Sequence, residues 1–198
     1  MKGHIPKPDQ LPAQMPQLRD GWQRATCRTV LRLCGWSLVG QFPDTPKLVL
    51  IAAPHSSWWD GVWGLLIKVA VGGDVHFMGK QELFAWPLGG LLRRLGGVPI
   101  DRGAAKGVVE QMIDQLRQRD QFWLGIAPEG TRKPVKRWKS GFWHIAHDAG
   151  VPIFPVAFHY PDKAIYLGPL FAASEDMEDD LARLRAFYAP FRGKHRNV

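Results

Sequence analysis

Cysteine is nearly absent from this chain: Cys27 and Cys34 are the only two in 198 residues. If both sit on one straight helix, their seven-residue separation places them roughly 10 Å apart along its axis. That is too far for a disulfide, so reduced thiols are expected. Long apolar runs are missing as well. The nearest candidate, Gly61–Gly73, is short and contains Lys68; a membrane-crossing helix needs ~18 apolar residues. The amino terminus is rich in Pro and Gln and has no apolar core of the kind a signal peptide carries. The expectation is a cytosolic chain that touches a membrane without crossing it. Acidic residues are in the minority, 18 Asp and Glu against 26 Lys and Arg, for a net charge of +8. That balance favours anionic partners: nucleic acid, anionic lipid, phosphorylated substrates or an acidic carrier protein.

Tryptophan, by contrast, is abundant, with nine in the chain. The indole suits both a core and a membrane interface, because it is half apolar and half polar. The 45% hydrophobic content is enough for one sizeable core. The length suits one domain, divided here into residues 1–44 as lead-in plus amphipathic helix and 45–198 as the main domain.

Residues 1–17 carry Pro6, Pro8, Pro12 and Pro16 and show little periodicity, so an irregular or mobile lead-in is expected. From Leu18 to about Val39 the pattern is helical. Trp22, Leu31 and Trp36 supply apolar area, and Arg19, Arg24, Arg28 and Arg32 fall at roughly helical spacing. Such a helix can lie in a membrane interface or pack on the domain with a solvated arginine face. Further on, strands are expected at Leu48–Ala53, Asp74–Met78, Gly96–Arg102, Phe122–Ala127, Val151–Phe158 and Ala164–Leu170. Pro152 and Pro155 suggest that the fifth of these is an edge or ends irregularly. Helices are expected at Gly61–Val71, Trp86–Leu95, Ala104–Arg119, Gly141–Ala149 and Leu181–Tyr188, with Arg192–Arg196 fraying. This alternation predicts an α/β fold: a single-layer, mostly parallel or mixed sheet flanked by helices.

The chemistry concentrates after the strands. Pro54 ends the first strand, and His55 and Asp60 follow directly. An imidazole with a carboxylate nearby is a workable general base, because the partner fixes its tautomer and stabilises its protonated form. Ser57 and Asp60 also have the spacing of a helix capping box, which leaves a purely structural reading open. PEGTR at Pro128–Arg132 follows another apolar run, and five of the eight residues from Arg132 to Lys139 are basic. Lys133, Lys136 and Arg137 read equally as a solvated run, a contact for lipid phosphates or a dock for an acidic carrier. His144 and His147 share a helix face beside Asp148, but no third metal ligand has a recognisable position. No GxSxG nucleophile motif is present.

Four segments, HSSWWD, GGVPIDR, PEGTR and VPIFPV, resemble in order and spacing the four signature blocks of the glycerophospholipid acyltransferase family, which includes the 1-acyl-sn-glycerol-3-phosphate acyltransferases. GKQELF before the second block and KRWKSGF after the third are also similar. The resemblance covers roughly residues 45 to 160 and is nearest to a short bacterial-type branch. It implies a glycerol-3-phosphate acyltransferase-like fold and an O-acyltransferase that moves a fatty acyl group from a thioester, acyl-CoA or acyl carrier protein, to a lysophospholipid hydroxyl. By that resemblance His55 is the base and Asp60 its orienting partner. Arg102 and Arg132 would hold the acceptor phosphate, with Glu129, Gly130, Thr131 and Lys139 shaping the pocket. No metal or cofactor is implied; the partners are the thioester donor, the lysophospholipid and the inner face of a membrane, not nucleic acid. Pro54 stands where Asn is common in the family, and Lys133 where Ser is common. A non-catalytic basic module binding anionic lipid or nucleic acid is the competing class, and a thioester hydrolase is a third.

Overall fold

The computed structural model describes residues 3–19, 21–85, 87, 89–100 and 107–195. Seven strands form one sheet: β1 (Ser37–Val39), β2 (Lys47–Ala53), β3 (Val75–Lys80), β4 (Gly97–Ile100), β5 (Phe122–Ile126), β6 (Ile153–His159) and β7 (Ala164–Leu167). Their order is β1-β7-β6-β2-β5-β3-β4. All neighbours are parallel except β6 and β7. Among the described residues are six α-helices: α1 (Trp22–Cys34), α2 (Trp58–Val71), α3 (Gly89–Arg94), α4 (Val108–Gln118), α5 (Gly141–Ala149) and α6 (Met177–Tyr188).

Both faces of the sheet are covered, which is why its strands read as continuous apolar runs. Alternate residues of β2 point opposite ways. Val49, Ile51 and Ala53 join a core with Met112 and Leu116 of α4, Phe142 and Ile145 of α5, and Leu184 of α6. Leu48 faces the other core, with Leu31 of α1, Ile67 and Val71 of α2, and Met15. Tyr188, fully buried, donates its hydroxyl to the Ile51 carbonyl (2.6 Å) and accepts from the Val156 amide (3.0 Å), bridging β2 and β6.

Several expectations are refined. The helix expected to run to Val39 ends at Cys34. Gly35 adopts the left-handed conformation (φ 78°), and Ser37–Val39 turns into an edge strand. The strand bearing Pro155 is internal rather than an edge. Its carbonyl accepts from Gly168, beyond the end of β7 at Leu167, so the missing proline N–H points where no strand partner remains. The lead-in is irregular but pinned: His4 bridges to Leu38, Gln17 to Gly73, and Met15 is buried. The carboxyl-terminal residues Arg192–His195 also pack, through Arg192 N to His159 Nδ1 (3.0 Å) and Tyr160 N to Arg192 O (3.0 Å). Arg196 lies outside the described residues.

The expected arginine stripe on α1 is not a single outward face. Arg24 is buried and donates to the Leu18 carbonyl. Arg28 donates to Ala70 O (2.9 Å) and Pro6 O (2.5 Å). Guanidinium donors thus satisfy a carbonyl of the last turn of α2, which has no partner within its own helix. Arg32 remains exposed. Both cysteines are free on α1.

Candidate active site

β2 lies between β6 and β5, and the carboxyl ends of these three strands converge on one edge of the sheet. In parallel sheets, loops gather into clefts at that edge. His55 leaves β2, Glu129 and Arg132 follow β5, and Tyr160 follows β6. The main-chain amide of His55 donates to Glu129 Oε1 (2.8 Å), and Glu129 is only 1% exposed. The exits of β2 and β5 are therefore tied together by a buried charge-assisted bond.

Asp60 sits in the first turn of α2. Its Oδ2 accepts from Ser56 N (2.7 Å) and Ser57 N (2.8 Å) and lies 3.4 Å from His55 Nδ1. Ser57 Oγ accepts from Trp59 N (3.2 Å). The cap and a His55–Asp60 contact are thus compatible in this segment. The same carboxylate closes the helix end and faces the imidazole, so the helix fixes the partner of His55. Burial alone would raise the Asp60 pKa. Hydrogen bonds from His55, Tyr160 and the Ser57 and Ser56 amides outweigh that and hold the carboxyl below its ordinary range. It stays an anion, ready to stabilise an imidazolium.

Of the remaining residues of the third block, Arg132 reaches the helix that carries Asp60. Arg132 stacks on Trp58, with its guanidinium carbon 3.5 Å from the ring centroid, which places it against the first turn of α2. Gly130 is left-handed (φ 64°), and a Cβ there would meet the Lys139 methylenes at 2.9 Å. Lys139 therefore lies over this turn, held by its amide to Pro128 O (2.9 Å). Thr131 Oγ1 accepts from Lys133 N (3.2 Å), and Lys133, Lys136 and Arg137 are exposed. Arg102 lies outside the described residues. His144 and His147 sit on α5, where His147 stacks on Trp143 and bonds Asp148 (2.8 Å).

A cavity of about 380 Å³ opens between α2 and the sheet. His55 and Asp60 line one end, Met15 and Gly73 the other. Between them the wall is almost wholly apolar: Leu50, Ala52, Gly64, Ile67, Phe77, Ile126, Val156 and Phe158. From Asp60 to Val71 at ~1.5 Å rise per residue, the helix wall runs roughly 16 Å. That is about half the ~30 Å hydrocarbon thickness which two facing acyl chains fill. Among the described lining residues Lys68 is the one lysine or arginine; it is buried and donates Nζ to Leu95 O (2.5 Å).

Two contributors escaped the sequence reading. Lys68 leaves a signal, a lone charge in an apolar helix. Tyr160 leaves none: it lies 100 residues from Asp60, to whose Oδ1 its hydroxyl donates (2.5 Å).

A family model described as Acyltransferase matches residues 41–159, more than half of the chain. The 1-acyl-sn-glycerol-3-phosphate acyltransferase of Neisseria gonorrhoeae is 28% identical over 127 residues, covering 61% of this chain and 48% of that protein. A lyso-ornithine lipid O-acyltransferase of Pseudomonas aeruginosa is 30% identical over 179 residues, covering 82% of this chain and 64% of that protein. The chain thus spans only part of the length of these relatives. The crystal structure of the 1-acyl-sn-glycerophosphate acyltransferase PlsC from Thermotoga maritima shares the fold, with a TM-score of 0.57 at 19% identity, over 86% of this chain and 80% of that one. With the first and third signature blocks leaving the carboxyl ends of adjacent strands and the family model spanning residues 41–159, the chain belongs to the acyltransferase family.

Proposed function

We propose that this chain transfers a fatty acyl group from a thioester, acyl-CoA or acyl carrier protein, to the hydroxyl of a lysophospholipid such as 1-acylglycerol-3-phosphate. One observation carries the reading: a His–Asp pair stands at one end of an almost wholly apolar cavity whose helix wall is about as long as one leaflet's acyl chain. With Nδ1 turned to Asp60, Nε2 is the nitrogen that takes the acceptor proton. The alcohol oxygen attacks the thioester carbonyl, the C–S bond breaks, and the imidazolium returns the proton to the leaving thiolate. Such proton transfer is worth on the order of 10²–10⁴ in rate. The step needs neither a covalent acyl-enzyme nor a metal.

Arg132, with Arg102 and Lys139, would receive the anionic end of the acceptor, since a guanidinium fork matches phosphate oxygens. The donor chain would occupy the cavity, where each buried methylene contributes about 0.8 kcal/mol. No helix among the described residues is long and apolar enough to cross a membrane. Peripheral membrane contact, at the inner, cytoplasmic face in this reading, is favoured by Trp58, Trp59 and Val62 on the first turns of α2, all exposed. Arg132 stacks on Trp58 and Lys194 lies 5.0 Å from the Trp59 ring, so cations border this apolar patch, as anionic lipid headgroups require.

The test is a panel of lysolipid acceptors with labelled acyl-CoA and acyl carrier protein. Acylated lipid formed only when acceptor is present supports the reading. Free fatty acid released regardless of acceptor would identify a thioester hydrolase. No turnover, with vesicle or nucleic-acid binding retained, would identify a basic binding module.

A further inference from the structure

We propose that Tyr160 is a positioning residue of this reaction, pinning the Asp60 carboxylate in the orientation that serves His55. The proposal rests on the assignment of His55 and Asp60 as the base pair. Asp60 is 2% exposed, so its two oxygens depend on protein donors. Oδ2 carries the Ser56 and Ser57 amides and faces Nδ1 of His55. Oδ1 receives the Tyr160 hydroxyl at 2.5 Å. The two amides lie on the same oxygen as the imidazole and hold it from one side only. The phenol engages the opposite oxygen and sets the rotation of the carboxylate plane about its Cβ–Cγ bond. Without it, Oδ1 would be left in a buried place, and the carboxylate could turn away from the ring.

Tyr160 is itself braced. Its ring meets Trp36 edge-on (5.1 Å, 89°), and Trp36 stacks on Trp63 of α2 (4.9 Å). Its amide donates to Arg192 O (3.0 Å), and its carbonyl accepts from Lys163 N (3.1 Å). The carboxyl-terminal residues that hold Tyr160 from behind continue onto the same segment, where His195 N donates to Ser56 Oγ (3.3 Å). Burial, and then Asp60 itself, push the phenol well above its ordinary value, so it remains a donor. The hydroxyl therefore serves orientation and not proton transfer; His55 alone moves the proton.

The test is Tyr160→Phe in the full chain, which removes one oxygen and keeps the ring. We expect kcat to fall roughly 10- to 100-fold while KM for acyl-CoA and for lysolipid stays within about twofold. In an Asp60→Ala background the same substitution should cost nothing further, because the bond it removes is already gone. Fluorotyrosine at position 160 keeps both ring and donor and should retain wild-type kcat, separating loss of the bond from loss of fold. A readout independent of turnover is the ¹⁵N spectrum of the His55 ring. The wild type should show one tautomer with Nδ1 protonated, and Tyr160→Phe should move it towards a mixture. Wild-type kcat together with an unchanged ring spectrum would overturn the proposal, as would an equal loss in the Asp60→Ala background. If the wild type proves inactive, the functional reading fails, but the ring spectrum still decides whether Tyr160 holds the pair.

Discussion

The main-chain amide of His55 donates to the buried carboxylate of Glu129 across 2.8 Å, joining the two signature segments that leave neighbouring strands. Because this bond uses backbone and not imidazole, the base can be removed without disturbing its anchorage. His55→Ala should therefore lower kcat by about 10²–10⁴ while the melting temperature stays near wild type. A basic binding module would show no change in either ligand binding or melting. Steady-state kinetics beside a thermal melt separates the two.

Glu129→Ala should lower stability as well as turnover. It leaves the His55 amide buried without its acceptor, which costs about 1–3 kcal/mol. For a domain of this size that lowers the melting temperature by several degrees, at roughly 2–4 °C per kcal/mol. Turnover should fall as well, because the exit of β2 loses its tie to β5. Glu129→Gln keeps an acceptor oxygen and should recover most of the stability. An Ala variant that melts with the wild type would show that the bond contributes little.

The first signature segment was legible because its chemistry is local: Ser57 and Asp60 declare a helix start, and His55 precedes them. The layer order followed from apolar runs alternating with helical periods. What stayed hidden depends on neighbours that only folding supplies. Strand β1 is three residues long, too short for any alternation to show. Arg24 and Arg28 read as an outward stripe, yet their guanidinium groups answer backbone carbonyls, which carry no signature in the side-chain pattern. Pro155 suggested an edge because its missing donor matters only if a partner carbonyl faces it, and β7 stops short. Tyr160 reaches Asp60 solely because β6 and β2 are adjacent.

Gly64 tests the cavity as an acyl site. A Cβ there would lie 3.7 Å from Phe158 Cζ, an ordinary contact, so a side chain can start from this cavity-lining position. Gly64→Leu should not weaken α2, since glycine costs about 0.8–1 kcal/mol against a good helix former. It should instead select against long donors, by up to roughly fourfold in kcat/KM for each methylene excluded, the equivalent of ~0.8 kcal/mol. Competition between acyl-CoA chain lengths reads this directly, and an unchanged preference would place the donor chain elsewhere.

Exposed indoles give a separate test of the membrane contact. Trp58 is 79% exposed, so Trp58→Ser combined with Trp59→Ser should weaken sedimentation with anionic vesicles at little cost to the fold. Raising salt should weaken the wild type too, because Arg132 and Lys194 border the same patch. Vesicle binding equal to wild type in the double variant would move the contact to another surface.

Lys68 provides a prediction that needs no substrate. Burial lowers its pKa, with Asp74 partly opposing, so the folded chain holds this proton less tightly than the unfolded chain, whose lysine titrates near 10.5. Below the folded pKa the buried ammonium carries its full desolvation penalty. As pH rises through the folded pKa towards 10.5, the folded state sheds the proton first and that penalty fades. Lys68→Met, which fills the same space without a charge, removes this dependence. The wild type should therefore gain stability relative to Lys68→Met as pH climbs through the alkaline range towards 10.5. Denaturant midpoints of the two proteins across that range measure the gap, and parallel curves would mean that the amine titrates alike in the folded and unfolded states.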